Sequence, residues 1–278
     1  MEVTSRLYLE PQAVEHFKLD EDPFNDPESP EDIWLSPALR RIEGQLVNGI
    51  KRRHIVVVTG EVGAGKSTLL RRLYGRLVQE RHLRFIAPAS LDRRKITETA
   101  LAVAILRDLT GKDTSSMAME ARSEMLRVQL SAEGAAGNFP VLLVDEAHHL
   151  PNKGLVAIKQ VWDSHTMFKQ LAVILVGQPP LAARLRQDIT LREVTGRAVM
   201  CEVPTFNRDA GGAAADYVRW RFARVGADAD AIFKPDAYAA LGARAEHPLW
   251  LNNLAVRALL YAWSVGDITV TSAHVGRA

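Results

Sequence analysis

The run Ile55-Val56-Val57-Val58-Thr59-Gly60-Glu61-Val62-Gly63-Ala64-Gly65-Lys66-Ser67-Thr68 decides the architecture of this chain. Its apolar start reads as a buried strand, and Leu69-Leu70-Arg71-Arg72-Leu73 continues it as an amphipathic helix. Between them, Gly60–Thr68 matches G-x-x-x-x-G-K-[ST] in the strand–loop–helix setting that makes this phosphate-binding pattern credible. Glycines reach backbone angles that other residues resist, so successive N–H groups can point inward at a polyphosphate. The helix that follows adds its positive N-terminal end. The pattern assigns Gly60, Glu61, Val62, Gly63, Ala64, Gly65, Lys66, Ser67 and Thr68 to a nucleoside triphosphate. Lys66 is expected to reach the β- and γ-phosphates, and the Ser67 hydroxyl to hold Mg²⁺. ATP and Mg²⁺ are therefore the expected cofactors.

A length of 278 residues suits one large α/β domain with a small helical one. Hydrophobic residues make up 47%, charged residues 24%, and the net charge is +2, so overall charge does not announce a nucleic-acid partner. The single cysteine, Cys201, cannot form an internal disulfide and reads as a small buried apolar residue in a reducing compartment. No apolar run reaches the roughly 18 residues of a membrane span, and the N-terminus lacks a secretory signal layout. The expectation is a soluble, cytoplasmic protein with no membrane contact.

Residues 1–35 form a lead-in rich in Pro, Asp and Glu, with Phe17, Phe24 and Trp34 among turn-formers. Such a stretch has too little apolar surface to fold alone and is expected to pack on the main domain. Ser36-Pro37 reads as a helix start, a serine cap followed by proline, and helical spacing continues to Ile50. A second strand is expected at 83–87, helices at 96–110 and 116–130, and buried strands at 141–144 and 171–176. A last core strand is expected at 199–203. From Asp209 the chain is Ala-, Arg- and Leu-rich with helical periodicity until Ile268-Thr269-Val270. This gives an α/β domain over 36–206, a parallel sheet flanked by helices, then a small helical lid over 207–278.

Asp145-Glu146 follows the apolar Val141–Val144, which places two carboxylates at the carboxyl edge of a sheet, where α/β proteins bind ligands. There Asp145 can coordinate Mg²⁺ while Glu146 orients and activates the attacking water. His148 and His149 follow at once and read as polar residues of the same loop, since further metal ligands at fixed spacing are not evident. Gln178, after the strand 171–176, is placed to hydrogen-bond the γ-phosphate or the water. Arg192 and Arg197 precede the last core strand, from which one of them can reach a neighbouring subunit's nucleotide.

Phosphate loop, Asp-Glu, polar strand tip, arginine and helical lid together resemble the AAA+ ATPases. More narrowly, the chain resembles the branch with the ExeA-type secretion ATPases and the Mu B-type transposition ATPases. The marks are Phe17-x-Leu19, Asp22-Pro23-Phe24, Gly60–Thr68, Leu143–His148 and Val176-Gly177-Gln178-Pro179, then Tyr217-x-x-x-Arg221-Phe222 and Phe233-x-x-x-Ala237. One departure stands out. The branch carries Gly-x-Pro-Arg in its lid, and here the chain reads Glu246-His247-Pro248-Leu249, with Leu249 where a second nucleotide-sensing arginine is expected. The resemblance therefore implies ATP hydrolysis that is slow or partner-stimulated, with Arg257 as a substitute that no spacing requires.

Two jobs compete for such an ATPase. The first is a regulator that oligomerises on double-stranded DNA, as a ring or helical filament, without sequence preference, and recruits a transposase. The second is a secretion-associated ATPase of the ExeA type. Arg93, Arg94 and Lys95 crowd a helix start, where the dipole disfavours cations unless an anion compensates. With Thr97, Lys112 and Lys153 they are the candidate DNA contacts. The secretion branch normally adds a membrane span and a further domain, which this chain does not show before Ala278. On that ground DNA-associated transposition is placed first and secretion second.

Overall fold

The computed structural model describes residues 6–30, 32–80, 82–87, 97–163, 169–206 and 212–278. In chain order the elements begin with α1 (Pro11–His16), α2 (Pro37–Lys51), β1 (Ile55–Thr59), α3 (Lys66–Leu77), β2 (Leu83–Ile86), α4 (Glu98–Thr110) and α5 (Met119–Ala135). There follow β3 (Phe139–Val144), α6 (Asn152–Asp163), β4 (Ala172–Gly177), α7 (Pro179–Gln187), α8 (Arg192–Thr195) and β5 (Ala198–Glu202). The last are α9 (Ala213–Arg224), α10 (Ala229–Ile232), α11 (Pro235–Arg244), α12 (Pro248–Ser264) and α13 (Ser272–Arg277). They form two compact units. A sheet unit takes residues 41–61 and 73–203, and a helical unit takes 1–40, 62–72 and 204–278.

In the sheet unit the five strands run in the order β2-β3-β4-β1-β5, all parallel. Every residue of β1 and β4 is buried, which is why both read as unbroken Val/Ile/Leu runs: a strand covered on both faces has no polar side to alternate with. The register sets the functional edge. Thr59 pairs with Gly177, and Val144 pairs with Leu175, so β1, β3 and β4 finish together and the residues after β3 lie level with the tip of β4. Ser36 accepts from the N–H of Leu39 at 3.1 Å, the cap its sequence announces for α2. The second helix expected after the phosphate loop starts late, at Met119, because the buried Arg122 donates to the carbonyls of Thr114, Ser115 and Met117 and pins the preceding segment as a loop. Cys201 is buried in β5, and desolvation pushes its thiol up to about 11.

The helical unit is built from the two ends of the chain. Leu9, Ala13, Phe17, Leu19 and Phe24 of the lead-in join one core cluster with Phe222, Phe233, Leu251 and Leu259. The lead-in thus packs among the C-terminal helices. Phe24 is fully buried, edge-on to Phe222 at 6.0 Å. Asp22 is also buried, and its two oxygens accept from the N–H groups of Phe24 at 2.8 Å and Leu9 at 2.9 Å. Arg221 is buried against the same segment, donating to Asn25 O at 2.6 Å and to the Tyr217 hydroxyl at 2.8 Å. Asp22-Pro23-Phe24 and Tyr217-x-x-x-Arg221-Phe222 therefore answer each other structurally. The strand-like Ile268-Thr269-Val270 contributes a single bridge, Val270 to Phe233.

Candidate active site

At the sheet edge, Asp145 and Glu146 leave β3 in a tight loop. Asp145 Oδ1 accepts from the Glu146 N–H at 2.8 Å, and Glu146 takes a left-handed backbone, φ 54° and ψ 36°. A glutamate held there costs on the order of 1–3 kcal/mol, strain of the kind that clusters at functional positions. A 3₁₀ turn, Ala147–His149, follows, and Ala147 and Leu150 anchor it by full burial. The Glu146 side chain stays exposed, and the Asp145 residue is half-buried.

The turn lies against the end of β4. A Cβ placed at Gly177 would come within 3.1 Å of the His148 backbone nitrogen, so a larger residue at 177 would crowd this approach. Gln178 follows at the N-cap of α7, where its side chain makes no capping bond. Its backbone N–H donates to His148 Nδ1 at 3.4 Å, and His148 Nε2 is 3.4 Å from Glu146 Oε2. Glu146, His148 and His149 bring one ligand atom each to within 4.8 Å of one another. The Gln178 N–H occupies Nδ1, however, so a neutral His148 ring carries its proton on Nε2, the nitrogen 3.4 Å from the carboxylate. That is a hydrogen-bonding arrangement in place of a ligand set.

In the helical unit the phosphate loop turns through Gly63 at φ +81° and Gly65 at φ +92° before α3 begins at Lys66. Lys66 is buried, while Ser67 and Thr68 are exposed at the helix start. The loop is hemmed in by the start of α12: a Cβ on Gly63 would fall 2.8 Å from Leu249 Cβ and 2.9 Å from His247 Nδ1. Pro248 fills the first position of α12, and His247 caps it by accepting from the Trp250 N–H at 3.4 Å. The place where a lid arginine is expected is thus taken by a leucine packed on the loop. Spacing located this segment, but its closeness to Gly63 has no sequence signal.

The other predicted residues fall as follows. Arg197 is exposed and ion-paired with Asp163 at 2.9 Å, beside the Trp162 ring. Asp163 is held below its ordinary carboxylate range by Lys169 first, with Lys159 and Arg197 adding to it. Arg192 is exposed at the start of α8. Thr97 spends its hydroxyl oxygen on the N-cap of α4, accepting from the Ala100 N–H at 3.2 Å. Lys112 and Lys153 are exposed, and Arg93, Arg94 and Lys95 lie outside the described residues.

Residues 49–185 match the model of an AAA domain, which spans the phosphate loop, β3 with its two acids, and the tip of β4. The chain has the AAA+ fold. It is similar to Cdc6p from Pyrobaculum aerophilum, with 17% identity, a TM-score of 0.55, and coverage of 95% of this chain and 69% of that one. It is also similar to Drosophila ORC in its DNA-bound structure, with 16% identity, a TM-score of 0.55, and coverage of 100% and 68%. In sequence it is similar to general secretion pathway protein A of Aeromonas hydrophila, 30% identical over 270 residues and 95% of this chain. The chain spans about half of that relative, 47% of its length. No helix among the described residues is long and apolar enough to cross a membrane.

Proposed function

We propose that this AAA+ chain binds and hydrolyses ATP as the nucleotide-driven module of a secretion-associated ATPase of the general secretion pathway protein A kind. For the chemistry, the carrying observation is the common edge of β1, β3 and β4, from which the phosphate loop and both acids depart. The buried Lys66 would supply a charge for the phosphates, and the positive φ of Gly63 and Gly65 supports a loop whose backbone N–H groups can face them. Ser67 and Asp145 offer the hard oxygen donors that Mg²⁺ requires, and the ion would neutralise charge on the phosphates. Glu146 takes the proton of the attacking water, and Gln178 orients that water or the γ-phosphate. Arg192 is the better candidate for a neighbour's nucleotide in a homo-oligomer, because Arg197 already engages Asp163.

For the biological job, the similarity over 95% of the chain to general secretion pathway protein A supports the secretion reading. This similarity favours secretion over the transposase recruitment on DNA expected from the sequence. Titrating the purified chain with fluorescent ATP analogue should give binding that Lys66→Ala removes and Glu146→Gln keeps, with hydrolysis lost in both. Turnover by Glu146→Gln within about tenfold of wild type would refute the assigned base. A gel-shift titration with non-hydrolysable ATP analogue and duplex DNA should show no ATP-dependent complex. A complex whose affinity falls with salt, at a slope of about −0.9 per phosphate contact, would instead restore the DNA-associated job.

A further inference from the structure

We propose that His148 is a positioning residue for hydrolysis: it ties the Glu146 carboxylate to the tip of β4 and holds it in the orientation that activates water. The inference rests on the reading of Glu146 as the base. It starts from the two ring contacts. The Gln178 backbone N–H can only donate, so at 3.4 Å from His148 Nδ1 it fixes that nitrogen as the acceptor. The neutral ring then has its proton on Nε2, 3.4 Å from Glu146 Oε2 and within reach of the carboxylate. Both contacts are long, as catalytic hydrogen bonds often are before substrate closes the site.

The surroundings give this link a purpose. The His148 side chain is only 10% exposed, whereas Glu146 is 48% exposed. A carboxylate that open has several rotamers available, and the near-buried ring selects among them. The His148 backbone and Cβ lie close against Gly177, and the His149 ring lies 4.0 Å from the His148 ring, centroid to centroid. The strained backbone of Glu146 starts the chain back toward β4, and the His149 N–H closes the turn on Glu146 O at 3.0 Å. Glu146 is thereby positioned by the strand tip that carries Gln178, and the two groups that face the attacking water share one support.

Two amides separate the ring's functions. His148→Asn keeps an acceptor near the Nδ1 position and loses the reach to Glu146, while His148→Gln keeps a donor near the Nε2 position. Steady-state hydrolysis by the full chain should show kcat lowered about ten- to hundredfold in His148→Ala and His148→Asn, the range of one hydrogen bond to a charged group. His148→Gln should stay within about threefold of wild type, and the Kd for ATP analogue should move less than about threefold in all three. A readout on the nucleotide-free protein is independent of any His148 variant's folding. Among the eight histidines, ¹⁵N spectra should show His148 protonated on Nε2, and Glu146→Gln should shift that nitrogen. Equal kcat in His148→Ala and wild type, equal loss in His148→Gln and His148→Asn, or a ring protonated on Nδ1 would each overturn the proposal. If Glu146→Gln itself turns over normally, the base assignment fails; if it is inactive while His148→Ala is normal, only the role of His148 fails.

Discussion

The sheet unit and the helical unit build their buried cores by opposite routes. In the sheet unit each core strand is a continuous apolar run, and neighbouring strands complete one another in parallel register. In the helical unit the core joins Phe17 and Phe24 to Phe222 and Phe233, about two hundred residues along the chain, through an acid and an arginine buried with their partners. The first depends on repetition of similar contacts and the second on a few particular ones. A buried strand loses little identity when one aliphatic residue replaces another, whereas a buried carboxylate or guanidinium has only the partners that fit it. The candidate site residues follow the same division. Asp145, Glu146 and Gln178 lie on the strand ends of the sheet unit, and the loop Gly63–Thr68 belongs with the start of α12.

Phe24→Ala is the most direct way to break this comparison. It should cost about 3–5 kcal/mol by emptying a fully buried aromatic site. In native-state hydrogen exchange the loss of protection should appear in α9–α13, with the amides of β1 and β4 unchanged. Equal loss in the strands would mean that the two units are not separate in stability. Asp22→Ala should follow at about 3 kcal/mol, since two buried N–H groups lose a charged acceptor. Asp22→Asn should recover only part of that, because its amide offers one oxygen for the two donors; chemical denaturation reads both. Gly63→Ala should cost about 1–3 kcal/mol, from a positive φ and from overlap with Leu249 and His247. Raised exchange confined to the first turn of α12 would tie the cost to that contact, and unchanged exchange there would refute it. The smallest effect runs the other way. Glu146→Gly should raise stability by about 1 kcal/mol by relieving the left-handed backbone, while abolishing turnover. A variant less stable than wild type would show that Glu146 is not strained.

The phosphate loop, β1, the paired acids and Gln178 were legible in the chain because each is a local pattern. The loop needs glycines at fixed spacing, and the acids mark the end of an apolar run. The start of α5 at Met119 is not legible from periodicity, because Arg122 pins the preceding loop through carbonyls that no sequence period reveals. The lead-in's composition marks it as a segment that packs on something else, but its partner, the C-terminal helices, lies far along the chain and is named by no nearby residue.

What the sequence determined by itself was therefore the set of chemical groups and the parallel α/β sheet that carries several of them, since hydrophobic period and glycine spacing act over a few residues. Tertiary structure alone decided how those groups are supported: Gly177 admitting His148, His148 reaching Glu146, and Leu249 closing on Gly63. Gly177 with His148 and Leu249 with Gly63 join segments that the chain separates by tens to hundreds of residues, and only packing determines which of them meet.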